Sequence, residues 1–465
     1  MTAKTTYSDF LKSKQIVTQS TGFEPYEIQN GPFDWQSDII RWLIKKGKAA
    51  AFEDCGLGKT IQQLEWARQV SKHTSMSVLI LAPLAVAKQT QREGVKFGYT
   101  VTVCRTQADV KPGINISNYE MLEHFDPPTF SGIVLDESSI LKHHDSKTRE
   151  MITTYFKDTQ YKLSCTATPA PNDFMELGNQ AEFLGIMSRI EMLATFFVHD
   201  GGDTSKWRIK GHAKDAFWKW LASWAVVLTT PSDLGYSADG YDLPKLNMFE
   251  HVVESGPGEI DGQMLFGTTI AQTLQERRQA RRSSLTDRCQ MAADLIAERP
   301  NEQWLIWCDL NDEADELKKI INGAVEVRGS DTNDFKAETL EGFTIGSIRC
   351  LVTKPSIAGF GLNWQGCHNM IFVGLSDSYE MMYQAIRRCW RFGQQNEVNV
   401  HIVISEAEGA VKQNIERKER QSKEMTAEMV KYSRTILEGE IRGTIRETID
   451  YNPQIEMILP DWLAA

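Results

Sequence analysis

The stretch AAAFEDCGLGKTIQQLEWARQV, residues 49–70, decides the fold of this chain. It begins with a short apolar run, continues through a loop with two glycines, and ends in a segment whose apolar residues recur at helical spacing. A strand, a glycine loop and a helix in this order suit phosphate binding, because the backbone N–H groups of the loop and the N-terminus of the helix both attract an anion. The stretch therefore predicts a phosphate-binding loop.

The residues of this loop have distinct expected roles. Gly56 and Gly58 allow the backbone to turn so that its N–H groups point inward. Lys59 would reach the β and γ phosphates, and the hydroxyl of Thr60 would ligate Mg²⁺. The general pattern G-x-x-x-x-G-K-[ST] has a glycine where this chain has Glu53, so a chance Gly-Lys-Thr match stays an alternative that only the context can decide.

That context is the segment IVLDESS, residues 133–139, in which an apolar run of strand length ends in two acids. Ligands of α/β sheets bind at the carboxyl ends of the strands. Asp136 is therefore expected to hold Mg²⁺, and Glu137 to orient or deprotonate an attacking water. Taken alone the two acids could lie in an exposed loop, but the glycine loop upstream disfavours that alternative.

Strand-length apolar runs occur in two series, which predicts two α/β domains with parallel sheets. The first series lies at 78–81, 133–135 and 161–164, and the second at 304–307, 350–353, 370–373 and 398–404. The expected division is a first domain over 1–180, a helical insertion and linker over 181–275, a second domain over 276–405, and a C-terminal helical extension over 406–465. The tryptophans between 207 and 224 are expected to pack in a helical core, with base stacking as the alternative.

The first-domain motifs resemble those of the Swi/Snf-like branch of the superfamily-two helicases and translocases. The family loop D-E-x-G-L-G-K-T is matched at 53–60 with the two acids interchanged. FDWQSDIIRWL, residues 33–43, resembles the family's aromatic–glutamine segment, whose adenine-reading glutamine would be Gln36. SCTATPAPNDFMEL, residues 164–177, resembles the coupling motif. The family has DEAH or a close variant at the acidic pair, whereas Ser138 and Ser139 follow the acids here.

The most specific signal in the second domain is YQAIRRCWRFGQQNEVNV, residues 383–400. It matches the family pattern Q-A-x-x-R-x-x-R-x-G-Q, with the two pattern arginines at Arg388 and Arg391. These arginines are three residues apart and would share one helix face. In the family such a pair neutralises charge on the γ-phosphate as an arginine finger supplied in cis. A solvated basic helix face is the alternative.

Other second-domain segments indicate contacts to a phosphate backbone. KPSIAGFGLNWQ, residues 354–365, resembles the family loop that touches both DNA and the cleft between the domains, and VEVRGSD, residues 325–331, resembles the backbone-binding loop. RRQARRSSLTDR, residues 277–288, is a basic cluster that would either contact DNA or brace the domains. The candidate nucleic-acid contacts are Arg328, Gly329, Ser330, Lys354, Arg277 and Arg281. A plain surface turn is the alternative for 328–330.

The resemblance implies two tandem RecA-like parallel-sheet domains that bind ATP and Mg²⁺ between them. It assigns catalysis to Glu137, Arg388, Arg391 and Gln384; nucleotide binding to Gln36, Gly56, Leu57, Gly58, Lys59, Thr60 and Gly361; and metal binding to Thr60 and Asp136. The implied activity is ATP-driven movement along DNA, with duplex DNA favoured. Two alternatives stay open: a helicase that separates strands of single-stranded or branched DNA, and a nucleotide-switched motor subunit of a restriction, modification or remodelling assembly. The economy of the chain resembles phage or mobile-element versions of the family.

Composition adds exclusions and one apparent conflict. The chain has 465 residues, ordinary apolar and charged fractions, and a net charge of −11 from 51 basic and 62 acidic residues. An acidic chain is an unusual nucleic-acid binder, so a local basic track is expected, with arginines concentrated at 277–288 and 387–391. The absence of a long apolar run and of a signal-like start indicates a cytoplasmic protein, in the bacterial host cytosol if phage-encoded, with no membrane contact. Eight cysteines without a C-x-x-C pair argue against zinc, and the C-terminal extension could dock a protein partner.

Overall fold

The structure is a computed structural model that describes residues 18–29, 31–83, 86–142, 146–200, 203–253, 259–260, 263–264, 281–358, 363–376 and 378–442. Two parallel sheets with helices packed against them form two lobes. This architecture is the tandem RecA-like fold that the resemblance implied.

The first lobe is built on a seven-stranded sheet in the order β3-β4-β2-β5-β6-β1-β9. Its strands are β1 (Lys48–Glu53), β2 (Ser77–Ala82), β3 (Val101–Val103), β4 (Ile114–Asn118), β5 (Phe130–Asp136), β6 (Tyr161–Thr166) and β9 (Ala225–Leu228). Adjacent strands pair in parallel throughout. Parallel pairing places the carboxyl ends of β1 and β5, which carry the loop and the acidic pair, at the same edge of the sheet.

Helices and one antiparallel hairpin accompany this sheet. The helices are α1 (Asp34–Lys46), α2 (Lys59–Thr74), α3 (Ala87–Lys96), α4 (Lys147–Tyr155), α5 (Glu176–Leu184), α6 (Arg189–Phe196) and α7 (Lys214–Ala222), and the hairpin is β7 (Phe197–Asp200) with β8 (Asp203–Ile209). The strands of the sheet read as continuous apolar runs because they are buried on both faces.

The second lobe has a six-stranded sheet in the order β10-β17-β16-β13-β15-β14. Its strands are β10 (Leu246–Val253), β13 (Trp304–Cys308), β14 (Ala324–Glu326), β15 (Cys350–Thr353), β16 (Asn369–Val373) and β17 (Val398–Ser405), and a two-strand hairpin, β11 (Glu259–Ile260) with β12 (Gln263–Met264), stands apart from it. Its helices are α8 (Leu285–Glu298), α9 (Asn311–Ile320), α10 (Asn333–Thr344), α11 (Pro355–Ala358) and α12 (Tyr379–Ile386).

The segment 181–275 differs from the helical insertion and linker that the sequence predicted. Its strand β9 pairs in parallel with β1 and completes the first sheet, and its strand β10 pairs in parallel with β17 and completes the second. The segment therefore supplies an edge strand to each sheet. Sequence reasoning missed β9 because the run AVVL is only four residues long and directly follows the tryptophan-rich helix. It missed β10 because one face of that strand is exposed and its sequence is mixed.

The tryptophans of this segment pack in the core, as predicted. Trp218, Trp220 and Trp224 are each at most 1% exposed and belong to the main apolar cluster of the first lobe. Trp207 is half-buried and packs against the same cluster. These large side chains therefore stabilise the first lobe by burying apolar surface.

The C-terminal extension contains one long helix, α13 (Gly409–Arg442), that begins directly after the second lobe and crosses to the first. Val411 and Ile415 pack in the core of the second lobe, whereas Met425 and Met429 pack in the core of the first. With 34 residues at 1.5 Å each, the helix is about 50 Å long, enough to contact both lobes. No helix in the described part of the chain is both long enough and apolar enough to span a membrane.

Candidate active site

The loop between β1 and α2 has the backbone geometry that its glycines allow. Gly56 and Gly58 have φ values of 92° and 79°, in the region that other residues adopt only under strain. Helix α2 begins at Lys59, so its N-terminal N–H groups and the positive end of its dipole adjoin the loop. A loop of this conformation before a helix N-terminus is an arrangement that can bind phosphate.

Lys59 is held by backbone carbonyls of the loop itself. Its Nζ donates to the carbonyl oxygens of Glu53 at 2.7 Å and Asp54 at 3.1 Å. Both acceptors are neutral carbonyl oxygens, and the Lys59 ammonium forms no ion pair with a carboxylate among the described residues. It can therefore exchange these carbonyl oxygens for phosphate oxygens. Thr60 follows in the first turn of the same helix.

Glu53, which stands in place of the general pattern's first glycine, is buried in the lobe. Gln62 Nε2 donates to its Oε2 at 2.8 Å. Burial raises the pKa of Glu53 to about 7, although Lys59 and Gln62 oppose the shift. The carboxyl group is thus a structural group behind the loop, and the loop reaches its shape with glycine only at 56 and 58.

Gln36 packs directly on the loop. Its Nε2 donates to the carbonyl oxygen of Leu57 at 2.8 Å, and its Oε1 accepts from the backbone N–H of Phe33 at 3.0 Å. A Cβ on Gly58 would lie 2.4 Å from Gln36 Nε2, so a side chain at 58 would displace the Gln36 amide, and the φ of 79° there independently favours glycine. An amide has two donors and two acceptor lone pairs, and Gln36 therefore keeps one of each for an adenine edge.

The acidic pair at the end of β5 lies beside the loop. Gln63 Nε2 donates to Asp136 Oδ1 at 2.8 Å, and the hydroxyl of Tyr119 donates to the Asp136 carbonyl at 2.7 Å. Burial raises the pKa of Asp136, while Gln63 and Lys59 oppose the shift. Sequence reasoning missed Gln63; its position one turn after Thr60 on α2 was the available signal.

Glu137 is in a left-handed backbone conformation, with φ of 56°. Such a conformation costs a non-glycine residue on the order of 1–3 kcal/mol and is typical of functional sites. The hydroxyl of Thr166, at the end of β6, donates to Glu137 Oε2 at 3.3 Å. Burial and the neighbouring Asp136 raise the pKa of Glu137, and Lys59 and Arg388 lower it, so these charges share one small volume.

Arg388 and Arg391 follow the end of α12 at Ile386, so they lie in a turn and not on the helix face that the sequence predicted. This segment of the second lobe faces the loop. A Cβ on Gly56 would lie 3.2 Å from the backbone nitrogen of Phe392 and 3.8 Å from Arg391 Cβ. Burial and the nearby Arg388 lower the pKa of Arg391 to about 10. This shift indicates positive charges held close together, which a bound polyanion would relieve.

Gln384, one turn before Arg388 on the same segment, is fully buried. Arg388 Nε donates to its backbone carbonyl at 2.9 Å, while both side-chain amide atoms of Gln384 lack a hydrogen-bond partner among the described residues. A buried amide without partners costs free energy unless a ligand or water satisfies it. The structure thus brings the phosphate loop, Gln36 and the acidic pair of the first lobe close to Arg388 and Arg391 of the second.

The coupling motif forms its own hydrogen-bonded turn before α5. Asn172 Nδ2 donates to Glu176 Oε1 at 2.8 Å, and the Asn172 backbone N–H donates to Glu176 Oε2 at 3.2 Å. Burial raises the pKa of Glu176 to about 7.

The candidate nucleic-acid residues divide into two groups. Arg328, Gly329, Ser330 and Lys354 line one cavity of about 380 Å³ at the carboxyl ends of β13, β14 and β15. Arg328 forms ion pairs there with Glu326 and Asp315.

Arg281 differs from the expectation of a DNA contact. It is 8% exposed and pairs with Asp309 at 2.5 Å and Glu408 at 3.0 Å, so its guanidinium braces the second lobe internally. The sequence left open that the basic cluster braces the two domains, whereas this arginine pairs within the second lobe alone. Arg277 and Gly361 lie outside the described residues.

Comparison with known proteins agrees with both lobes. A family model described as the SNF2-related domain matches residues 35–196, and one described as the helicase conserved C-terminal domain matches residues 287–393. The solved Sulfolobus solfataricus SWI2/SNF2 ATPase core in complex with dsDNA is 18% identical over 82% of this chain and 90% of that chain, with a TM-score of 0.42. No curated protein matches the chain in sequence. The order of the two matched domains and their motifs establish that the chain belongs to the Snf2-like superfamily-two helicases and translocases, as an ATPase of that class.

Proposed function

We propose that the protein couples hydrolysis of MgATP to movement along DNA, with duplex DNA as the preferred track. One observation supports this proposal above the others: the phosphate loop and acidic pair of the first lobe meet Arg388 and Arg391 of the second lobe in a single cleft. A site divided between two lobes is complete only when the lobes are closed. Hydrolysis can therefore drive a change in their separation.

The residues of the first lobe would bind and activate the nucleotide. Gln36 would read the adenine edge, and Lys59 would leave the loop carbonyls for the β and γ phosphates. Thr60 and Asp136 would hold Mg²⁺, an oxygen-donor set that suits this ion, and the metal would neutralise charge on the phosphates. Glu137, held by Thr166, would orient and deprotonate the attacking water.

The residues of the second lobe would complete the site. Arg388 and Arg391 would neutralise the charge that develops on the γ-phosphate, as an arginine finger does. The orphaned amide of Gln384 would supply a donor and an acceptor to the closed cleft. After hydrolysis the charge that attracts the arginines is reduced, and the lobes would separate.

The cavity that contains Arg328 and Lys354 would hold the DNA backbone. Its lining includes Lys354 and the hydroxyls of Ser330, Thr353 and Ser356, which are typical phosphate contacts, and Arg328, whose guanidinium would exchange Glu326 and Asp315 for a phosphate. Such contacts do not read bases, so binding would be independent of sequence and sensitive to salt.

The test is steady-state ATP hydrolysis with duplex, single-stranded and forked DNA of equal length, over a series of salt concentrations. We expect duplex DNA to stimulate the rate most, with stimulation declining steeply as salt rises. Stronger stimulation by single-stranded or forked DNA would favour a strand-separating helicase. No stimulation by any DNA would favour the nucleotide-switched subunit of a larger assembly.

The DNA contacts themselves are tested by removing the two cations of the cavity together. Arg328→Ala/Lys354→Ala is expected to weaken DNA stimulation several-fold and to reduce the salt slope of DNA binding, without changing the rate in the absence of DNA. A matched control is Lys318→Ala/Lys319→Ala, which removes two charges from the other end of the neighbouring helix α9. Equal behaviour of the two double variants would contradict the assignment of the cavity.

A further inference from the structure

Three side chains join the phosphate loop to the arginine segment: Asp54 of the loop, and Tyr383 and Arg387, which the family pattern of the arginine segment does not specify. Arg387 Nη2 lies 2.9 Å from Asp54 Oδ2 and also donates to the carbonyl oxygen of Cys55. The hydroxyl of Tyr383 donates to the other oxygen of the same carboxylate, Asp54 Oδ1, at 2.5 Å. Asp54 lies in the loop of the first lobe, whereas Tyr383 and Arg387 lie in the second lobe, more than 300 residues away.

This contact is unlike a surface ion pair. The side chain of Arg387 is 4% exposed and that of Asp54 is 20% exposed. The guanidinium also lies over the rings of Trp390 and Tyr383, at 5.1 and 5.9 Å from their centroids. A charge buried this far costs several kcal/mol unless it is paired, so the second lobe holds an arginine whose partner is in the first.

Protonation supports the same pairing. Burial lowers the pKa of Arg387, but the nearby Asp54 and Tyr383 outweigh burial and hold that pKa above its ordinary value. Burial and Asp54 both raise the pKa of the Tyr383 phenol, so it stays protonated and can donate. Both partners of the carboxylate are therefore protonated donors at neutral pH.

The position of the contact determines its consequence. Arg387 directly precedes Arg388 and is four residues before Arg391, and Asp54 is two residues before Gly56, against which Arg391 packs. The pairing of Arg387 with Asp54 therefore fixes the orientation of the segment that carries Arg388 and Arg391, and its distance from the phosphate loop. The family pattern Q-A-x-x-R-x-x-R leaves 387 unspecified, and Tyr383 precedes it.

We propose that Asp54, Arg387 and Tyr383 form a latch between the lobes that positions Arg388 and Arg391 over the phosphate loop. The three are positioning residues, because they act through the arginines and the loop. The latch holds the lobes together before nucleotide binds and sets the arginines in register for hydrolysis. The second role rests on the proposed ATPase function of the cleft, whereas the first does not.

The test is a charge exchange across the cleft, read in two independent ways. Arg387→Glu and Asp54→Arg each place like charges together, and the double variant Asp54→Arg/Arg387→Glu restores opposite charges. The first measurement is the distance between spin labels on cysteines introduced at the exposed positions Ile190 of the first lobe and Ile345 of the second, without nucleotide. The second is kcat and KM for ATP.

We expect each single variant to lengthen and broaden the inter-lobe distance distribution and to lower kcat at least tenfold, with a smaller change in KM. The double variant is expected to recover part of the loss in both measurements, because it restores the ion pair but not the hydrogen bonds of Tyr383 and of the Cys55 carbonyl. Arg420→Glu, an exposed reversal on α13, is the matched control and should change neither measurement.

A merely structural arginine would not be rescued by the exchange, so a double variant worse than either single variant would overturn the latch. Unchanged distance and kcat in Arg387→Glu would overturn it as well. If Arg387→Glu fails to fold, Tyr383→Phe carries the test; it removes one hydroxyl and should still broaden the distance distribution, and an unaltered distribution there counts against the latch. The two proposals can fail separately. If the wild-type protein hydrolyses no ATP but Arg387→Glu still increases the inter-lobe distance, the proposed function is refuted and the latch is supported.

Discussion

The Nζ of Lys142 donates to Oε2 of Glu380 at 2.5 Å, and this contact joins the two lobes on the side of the acidic pair. The other oxygen of Glu380 accepts from the hydroxyl of Thr168 at 3.1 Å. The Thr168 backbone N–H in turn donates to the hydroxyl oxygen of Thr166, which bonds to Glu137. A continuous hydrogen-bonded path therefore runs from Glu137 to the second lobe.

Glu380→Gln is expected to destabilise the association of the lobes, because it leaves the Lys142 ammonium without its carboxylate in a half-buried site. The loss should be about 1–3 kcal/mol in urea unfolding, the usual value of a hydrogen bond to a charged group. Lys142→Met/Glu380→Gln should cost less than the two single changes added together. The control is Glu341→Gln, which breaks the exposed inter-lobe pair with Arg92 and should cost no more than about 0.5 kcal/mol.

Lys59→Ala is expected to abolish ATP turnover and to weaken nucleotide binding strongly, because the loop loses the cation that reaches the phosphates. Binding of a fluorescent ATP analogue and release of phosphate measure the two effects. Lys88→Ala, an exposed change in α3, controls for the loss of one positive charge. Turnover at the wild-type rate in Lys59→Ala would remove the loop from the site.

Arg391→Ala is expected to leave ATP affinity nearly unchanged and to lower kcat by about 10³-fold or more, as loss of an arginine finger does elsewhere. The physical reason is that the charge it neutralises develops mainly in the transition state. Equilibrium ATP binding and single-turnover hydrolysis separate the two effects, with Arg420→Ala as the surface control. A variant that binds ATP weakly but hydrolyses it at the normal rate would contradict the role of a finger.

Glu53→Gln is expected to change the pH dependence of stability. The folded pKa of about 7 lies above the ordinary value of 4.5, so the folded state binds more protons in that window and the stability of the wild type falls as pH rises through it. The variant lacks this titration and keeps an oxygen to accept from Gln62. It should gain up to about 3 kcal/mol relative to wild type between pH 5 and pH 8, measured by urea unfolding at each pH. Glu338→Gln removes a surface carboxylate and is the control. A difference in unfolding free energy between wild type and Glu53→Gln that stays the same at every pH in this range would contradict the raised pKa.

Met429→Ala is expected to destabilise the docking of α13 on the first lobe. Met429 is fully buried in the core of that lobe, and truncation of a buried methionine to alanine costs about 2–5 kcal/mol. Thermal unfolding and limited proteolysis of the helix measure the effect. Ala427→Asp, on the exposed side of the same turn, is the control and should leave α13 docked. Equal protease sensitivity of the two variants would count against docking through Met429.

Local patterns were sufficient for much of this protein. The glycine loop before α2, the acids that end β5, and the paired arginines after α12 each occupy a few consecutive residues, and their chemistry follows from residue type and spacing. Parallel sheets could be predicted because buried parallel strands read as continuous apolar runs. Those inferences needed no knowledge of which distant residues meet.

The tertiary structure alone decided which distant residues meet. The pairs Asp54–Arg387 and Lys142–Glu380 join residues hundreds of positions apart. The sequence contains many other acidic and basic residues, so it does not indicate which of them pair. Arg281 looked like a phosphate contact because a basic cluster surrounds it, yet packing placed Asp309 and Glu408 against it. The positions of the edge strands β9 and β10 likewise depend on tertiary packing. So does the path of α13 from one lobe to the other, because each element is placed by the apolar surface against which it packs. The sequence by itself determined which residues were candidates for the site, because their types and spacing are local, and packing between distant segments determined how the two lobes are held around them.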